Sequence, residues 1–589
     1  TGSNKESAVQ NMVISVRPVT VAPEPQVNVF EYGNAGNSIV YRIPAIAKAY
    51  NGDIIAVADY RYGGADIGFG RVSLHARISA DGGATWGDKI VVAESHQGQY
   101  GVDKANDLEA GFGDPAIVAD RESGNVLLLS CCGNVSYPAA TWAHHQGIAR
   151  FRSSDNGKTW STYEDIAPAI YQQFKDAGVD VQGLFIGSGR IFQSRTTKVG
   201  QYYRLYAVCL LRTASTGGLN YVLYSDDFGE NWQILGDDAT PGVTGGDEPK
   251  AEELPDGSIL LSSRAYGRIF NIFQFTDVAA GEGSWMTQSA SNANNKGVVA
   301  EGNSCNGEIM IVPVVRKADN KKMWLALQSV PFGPGGRYNV GIYYKGLPSF
   351  AEFATPAAFA GNWEGRHQAS YMSSAYSTMT VQTDNTLGFL YEESTFGKDY
   401  TIVYKNYSIE QITDSLYTFD ASPINSFAIA ADGVEAKTTG VAFSSYVGGV
   451  KESSRATIDA AISTFKSTPT ADNYVAINNA VKDAERVEFD PNVRYIFRNV
   501  ARGTQPGSLA MVVSDATNLK LTSGNYSATS ELQQWSFVPT ETDGVWNLYN
   551  AQTKSWVMNT LATETAMVTT TDATKAGTYR IQGNNDRLC

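Results

Sequence analysis

An eight-residue phrase occurs three times in this chain: Ser79-x-Asp81-x-Gly83-x-Thr85-Trp86, Ser153-x-Asp155-x-Gly157-x-Thr159-Trp160 and Ser225-x-Asp227-x-Gly229-x-Asn231-Trp232. Successive copies begin 74 and then 72 residues apart. That period is too long for a solenoid and suits one four-stranded sheet per unit, with the phrase on a hairpin, so it predicts a β-propeller. Each residue has a structural job. Asp accepts backbone N–H groups across a tight turn, Gly supplies a positive φ, Ser or Thr adds local hydrogen bonds and Trp packs between sheets. The runs leading into the turns, Val72–Ile78, Gly147–Phe151 and Tyr221–Tyr224, are short, β-rich and partly alternating, which places each phrase in a strand-turn-strand unit.

Similar strand patterns recur between about Val27 and Ile412, as in Ile54–Ala58, Val126–Ser130, Ile259–Ser262 and Thr401–Tyr404. At about 65 residues per blade this length suits six blades. The expected order is an N-terminal extension (1–26), the propeller (27–412), a connecting segment (413–450), a helical linker (451–486) and a smaller β-domain (487–589). The linker follows from Ile458, Ala461, Ile462 and Phe465, then Tyr474, Ile477, Val481 and Ala484, at helical spacing with Pro469 in the break. The β-domain follows from Val493–Phe497, Leu519–Leu521, Gln533–Phe537 and Val545–Tyr549. The fold class is thus all-β, a six-bladed propeller followed by a short helical hairpin and a C-terminal β-domain.

With 589 residues and 43% hydrophobic content the chain can bury several cores, and 57 Gly and 31 Tyr fit turn-rich β structure. A formal charge of -14 without Lys/Arg runs argues against nucleic acid and anionic membrane surfaces as partners. An anionic ligand must therefore be held by local arginines against the overall field. The five cysteines form no Cys-x-x-Cys pair, and His144-His145 is in no ligand spacing, so no metal or other cofactor is expected. Vicinal Cys131-Cys132 reads as strand packing. No stretch approaches the ~20 apolar residues of a membrane-spanning helix.

The repeated phrases resemble the Asp boxes of sialidases, and the resemblance continues through the catalytic motifs in family order. Tyr41-Arg42-Ile43-Pro44 resembles the Tyr/Phe-Arg-Ile-Pro signature, whose Arg is the first of three that bind the substrate carboxylate. A guanidinium suits that task because its planar fork meets a carboxylate in two charge-assisted hydrogen bonds and stays charged at any relevant pH. Glu248 followed sixteen residues later by Arg264 resembles the Glu/Arg pair of the family, and Arg337 in Gly335–Tyr344 resembles the third arginine. Tyr376, with Glu392 sixteen residues beyond it, resembles the nucleophile and the Glu that orients the first arginine. Asp66, in the Gly-rich stretch Ala58–Gly70, takes the place of the general acid, with partial burial expected to favour its protonated form. Asp59 either orders that loop or exchanges roles with Asp66. Arg61 resembles an additional pocket arginine. Asp114, in Gly113-Asp114-Pro115, resembles the Asp near the N-acetyl pocket, or else is a turn Asp before Pro.

The resemblance implies an exo-acting retaining sialidase that removes terminal sialic acids from glycans, glycoproteins or glycolipids. Tyr376 would attack the anomeric carbon with Glu248 taking its proton. A neutral phenol approaches that carbon without the repulsion an Asp or Glu anion would meet from the adjacent carboxylate. A trans-sialidase or intramolecular trans-sialidase would use the same residues with another acceptor, and a non-catalytic sialoglycan-binding propeller is the rival of another class. The enzyme class implies an exported protein, secreted, periplasmic or cell-surface, with a leader already removed and Thr1-Gly2-Ser3 a tag remnant. A monomer is expected. Gln533-x-Trp535 resembles the phrase of ricin-type β-trefoil lectins, in a domain short for three trefoil units and so read as truncated, either binding carbohydrate or serving as an inert module.

Overall fold

The computed structural model describes residues 26–32, 40–236, 239–300, 305–394, 400–421, 450–468, 471–485 and, with short gaps, 487–588. Residues 1–25 of the expected extension, most of the connecting segment 413–450, Pro469 and Cys589 lie outside the described residues. The chain is mostly β, at 46% strand and 12% helix. It divides into two compact units, Thr1–Ala430 and Ala431–Cys589.

Six sheets build the first unit among the described residues. The simplest is an antiparallel meander, Val40–Lys48, Ile54–Arg61, Val72–Ser79 and Ile90–Ala93. In the last sheet Ser374–Val381, Leu387–Glu393 and Thr401–Tyr407 are joined by Gln26–Phe30, paired in register from Gln26 opposite Lys405. The earliest described strand therefore completes the final sheet.

Each sheet shares one hydrophobic core with the sheet before it and another with the sheet after it. Val126 and Leu128 pack with Val57 and Leu74 on one side, whereas Leu127 and Leu129 pack with Leu205 and Leu223 on the other. Further cores join Tyr206 to Leu261, Ile272 to Ile311 and Val312 to Phe389. Ile46 and Ile54 meet Leu390 and Ile402, which closes the cycle. Successive side chains of a strand point to opposite faces, so a strand buried on both faces must be apolar throughout, and Val126–Leu129 is. Truncating fully buried Leu128 to Ala would cost about 2–5 kcal/mol through lost transfer energy and the cavity left behind.

The three repeated phrases form one turn. The Ser79 hydroxyl accepts the Gly83 N–H at 2.8 Å and donates to Asp81 Oδ1 at 2.8 Å, while Asp81 Oδ1 accepts the Thr85 N–H at 2.8 Å. The same bonds recur at Ser153–Thr159 and Ser225–Asn231. Gly83 has φ 91°, and a Cβ there would collide with the Tyr404 ring. Trp86 meets that ring edge-on at 5.4 Å.

In the second unit two helices, Glu452–Ser467 and Ala471–Lys482, occupy the stretch with helical periodicity, and Ile458, Ile462, Phe465 and Ile477 are buried. The β part is less regular than its sequence suggests. Of Val493–Phe497 only Arg494–Tyr495 is strand, and Gln533 lies in a 3-10 turn ahead of the strand Trp535–Pro539. The Gln533 amide bonds the Asn525 carbonyl at 2.7 Å and the Ser527 N–H at 2.9 Å, and the fully buried Trp535 indole donates to the Met511 carbonyl. Both residues of this phrase serve the core of their own unit.

Candidate active site

Three strands carry a register slip where a chemically interesting residue sits. Val40–Lys48 slips between Arg42 and Ala45, Phe112–Ala119 between Gly113 and Ala116, and Ser374–Val381 between Ser374 and Ser377. A bulge re-aims side chains that strict alternation would send into a ladder face, and these three free Arg42, Asp114 and Tyr376 from that alternation. Two of the bulges hold a residue at positive φ just before a proline, Ile43 at 52° and Asp114 at 55°. A β-branched residue in that region is strained and must be held by its surroundings. The Ile43 N–H donates to Glu392 Oε1 at 2.8 Å.

Glu392 is the hub of one wall. Fully buried, it accepts from Arg42 Nε at 2.7 Å and Nη2 at 3.3 Å, and from the Tyr376 N–H at 3.2 Å. Burial works against the Arg42 charge, but the Glu392 carboxylate outweighs it and pushes the guanidinium pKa up. The Tyr376 hydroxyl faces both Glu248 oxygens, at 2.8 and 2.9 Å. Arg264 Nη1 donates to Glu248 Oε2 at 2.8 Å and to the Tyr376 oxygen at 3.1 Å. The guanidinium of Arg337 lies 5.4 Å from the Tyr376 ring centre and that of Arg42 5.8 Å. Burial, and next the Glu248 carboxylate, hold the Tyr376 phenol well above its usual pKa, with Arg264 and Arg337 pulling the other way. Tyr376 is thus a buried neutral phenol hydrogen-bonded to a carboxylate and surrounded by three cations.

The opposite wall is organised around Arg61. Its guanidinium bonds Asp59 Oδ2 at 2.8 and 3.1 Å and lies 3.0 Å from Asp66 Oδ1, while Asp59 Oδ1 accepts the Asp114 N–H at 2.9 Å. Asp59 is fully buried, and burial, opposed by Arg61 and reinforced by Asp66, raises its pKa to about 7. Burial and then the charges of Asp59 and Asp66 raise Asp114 as well. Asp66 differs from the expectation of partial burial, because its side chain is 56% exposed. It sits in a loop where Gly63, Gly64 and Gly68 have positive φ, and it reaches Arg61 from the solvent side. Asp59, not Asp66, is the buried carboxyl group of this stretch, and its partners are Arg61 and Asp114 rather than the loop backbone.

The structure brings Arg42, Glu248, Arg264, Arg337, Tyr376 and Glu392 together, and separately Arg61, Asp66 and Asp114. Electrostatic contact of Asp114 with Glu248 joins the two groups. Sequence reasoning missed Tyr400, whose ring lies 4.6 Å from the Arg42 guanidinium, and Cys305, buried with Ile43, Ala375 and Tyr376. Burial pushes the Cys305 thiol up to about 12. Neither residue lies in a motif, and a lone Tyr or Cys gives no local signal of the site it will reach.

No family model matches the chain. A sialidase of Micromonospora viridifaciens is 32% identical over 244 residues, 39% of this chain and 33% of that protein. A sialidase of Bacteroides fragilis (strain YCH46) is 28% identical over 239 residues, 39% of this chain and 40% of that protein. The matches thus span only about a third to two fifths of these relatives' length. Among solved structures, a leech intramolecular trans-sialidase complexed with 2,7-anhydro-Neu5Ac aligns with a TM-score of 0.50 at 16% identity, over 67% of this chain and 71% of that chain. This last likeness concerns the fold. The chain is similar in sequence to sialidases and shares a mostly β architecture with the leech protein.

Proposed function

We propose that the chain is an exo-α-sialidase whose first unit is a six-bladed propeller, its three repeated turns being Asp boxes. The observation that carries this reading is the Tyr376–Glu248 pair set among Arg42, Arg264 and Arg337. Three guanidiniums around one phenol suit a substrate that presents a carboxylate beside the carbon under attack.

In this reading the arginines hold the carboxylate of a terminal sialic acid, with Glu392 fixing Arg42. Tyr376 passes its proton to Glu248 as its oxygen bonds the anomeric carbon, and Asp66 gives its proton to the departing glycosidic oxygen. Deglycosylation reverses the traffic. Asp66 takes a proton from water, the water oxygen bonds the anomeric carbon, and the Tyr376 oxygen leaves and recovers its proton from Glu248. Two displacements retain configuration. Asp114 and Arg61 line the part of the pocket that meets the other substituents of the ring. The substrates are sialylated glycans, glycoproteins or glycolipids, and such an enzyme works outside the cytoplasm or at the cell surface.

The test is release of fluorophore from an α-sialoside by wild type and Tyr376→Phe, with the sugar product identified by mass. Release by wild type alone, with free sialic acid as product, is expected. An anhydro sugar would assign intramolecular transfer, and no release by wild type would overturn the catalytic reading.

A further inference from the structure

Behind the Tyr376–Glu248 pair lies a second arginine of the same hairpin. Arg268, on the strand Gly267–Asp277, stands directly across the ladder from Arg264 on Ile259–Ala265. It is 1% exposed. Its Nε donates to Ser262 Oγ at 2.9 Å, its Nη2 to the Ser262 carbonyl at 2.5 Å and its Nη1 to Asn306 Oδ1 at 3.3 Å. The Asn306 amide donates in turn to the carbonyl of Pro249, the residue after Glu248, at 3.4 Å. Among the described residues Arg268 makes no ion pair, and the group that acts on it most strongly through space is Glu248, followed by Cys305 and Glu308. Glu308 has closer cations in Lys250 at 3.5 Å and Arg190 at 3.6 Å.

A fully buried cation without a carboxylate in contact is costly, and a methionine of similar reach would fill the space without the desolvation penalty. Its hydrogen bonds to Ser262 and Asn306 call for a donor, which a neutral group could supply, so stability gives no reason for the charge itself. Burial lowers the Arg268 pKa to about 9, which still leaves it charged at neutral pH. Glu248 must stay ionised to accept the Tyr376 proton, even when a substrate brings a second carboxylate into the pocket. The charged and titratable groups facing Glu248 are Tyr376, Arg264, Asp114, Cys305 and Arg268. Arg264 serves Glu248, Tyr376 and, from Nε at 3.4 Å, Asp247, so Arg268 is the other cation of this set.

We propose that Arg268 is a positioning residue for the proton acceptor, fixing the backbone beside Glu248 through Asn306 and keeping that carboxylate ionised by its charge. The proposal rests on the sialidase reading above for its kinetic arm. In Arg268→Met, kcat on a fluorogenic α-sialoside is expected to fall about 10- to 100-fold, as for loss of a preorganised charge, with KM changed less than about twofold. The acidic limb of the kcat/KM profile moves to higher pH, because removing a nearby cation makes a carboxylate easier to protonate. Arg268→Lys restores the limb. An unchanged kcat and limb, or an effect on KM alone, overturns the proposal.

A second arm needs no turnover. In a double-mutant cycle followed by thermal melting, the change in Tm caused by Arg268→Met should be less unfavourable in a Glu248→Gln background than in wild type, because the charge has then lost its partner. Additive effects overturn the charge coupling, whereas inactivity of wild type on every sialoside would sink only the sialidase reading. Should Arg268→Met not accumulate folded, Asn306→Ala cuts the link to Pro249 and leaves the charge. It is expected to lower kcat without moving the limb, and an unaltered kcat overturns the positional link.

Discussion

The two walls of the site are built on opposite electrostatic plans. On the Tyr376 wall the carboxylates of Glu392, Glu248 and Asp247 are matched in number by the guanidiniums of Arg42, Arg264 and Arg337, Arg42 pairing Glu392 and Arg264 pairing both Glu248 and Asp247, and the hydrogen bonds converge on strands buried on both faces. On the other wall Asp59, Asp66 and Asp114 share one guanidinium, Arg61. A balanced, multiply bonded wall fixes geometry, as the nucleophile of the proposed mechanism requires. An excess of carboxylates around one cation, together with burial, favours the protonated form of the buried members, Asp59 at about 7 and Asp114 raised as well.

The sharpest way to break this contrast is Asp66→Asn. If the Arg61 wall supplies the proton, kcat on a sialyl oligosaccharide should fall by about 10²–10⁴. The loss should be much smaller on an aryl sialoside, whose leaving group needs little protonation. Equal losses on both substrates would show that Asp66 holds structure instead of moving protons. On the balanced wall, Glu392→Gln leaves Arg42 and the Ile43 N–H facing a neutral amide. KM should rise by about 10- to 100-fold with a smaller change in kcat, since in the proposed function the lost interaction concerns binding of the substrate carboxylate. A change in kcat alone would move Glu392 from the binding wall to the chemistry.

A smaller effect separates the walls by pH. Asp59 is raised from its ordinary 3.8 to about 7, so between these values the folded protein binds a proton that the unfolded chain has released. Stability from this group is present below about pH 4 and is lost as pH rises toward 7. In Asp59→Asn the decline of Tm across that window should be shallower than in wild type. A parallel decline would mean that Asp114 carries the proton.

Much of this arrangement is legible in the chain because its determinants are local. The turn phrases state their own hydrogen bonds, since Asp81, Gly83 and Thr85 lie within one turn. Both sixteen-residue separations, Glu248 to Arg264 and Tyr376 to Glu392, join residues across adjacent strands of one sheet, so two neighbouring motifs carry the contact. Arg42 with Glu392 spans 350 residues and depends on the last and first complete sheets meeting, which only the resemblance to a family supplied. The bulges were half visible. Pro44 and Pro115 cannot donate to a ladder and so mark interruptions, yet nothing in Ile43 announces a positive φ, because its strain is set by Glu392 from another sheet. Exposure of Asp66 and burial of Asp59 were not legible at all. Seven residues apart in one Gly-rich stretch, they are separated by the end of the strand Ile54–Arg61, and only the strand residue is carried into the interior.

The least effect should come from the repeated turns, which lie in neither wall. In the second copy, Asp155 accepts the N–H groups of Lys158 and Thr159 and the hydroxyls of Ser153 and Thr159. Slight burial acts to raise its pKa, but these donors outweigh it and hold the carboxyl down to about 2. A depressed carboxylate stabilises the fold above its unfolded pKa, and that contribution is lost as pH falls toward 2. The group is only partly buried, so solvent screening keeps the gain small. Asp155→Asn should therefore lower Tm slightly at pH 7, the difference should close in acid, and kcat/KM on a sialoside should stay at its wild-type value. A loss of kcat/KM at full folding would show that strain at the rim of a sheet reaches the Tyr376 wall, and the rigidity ascribed to that wall would then depend on the turns as well as on its ion pairs.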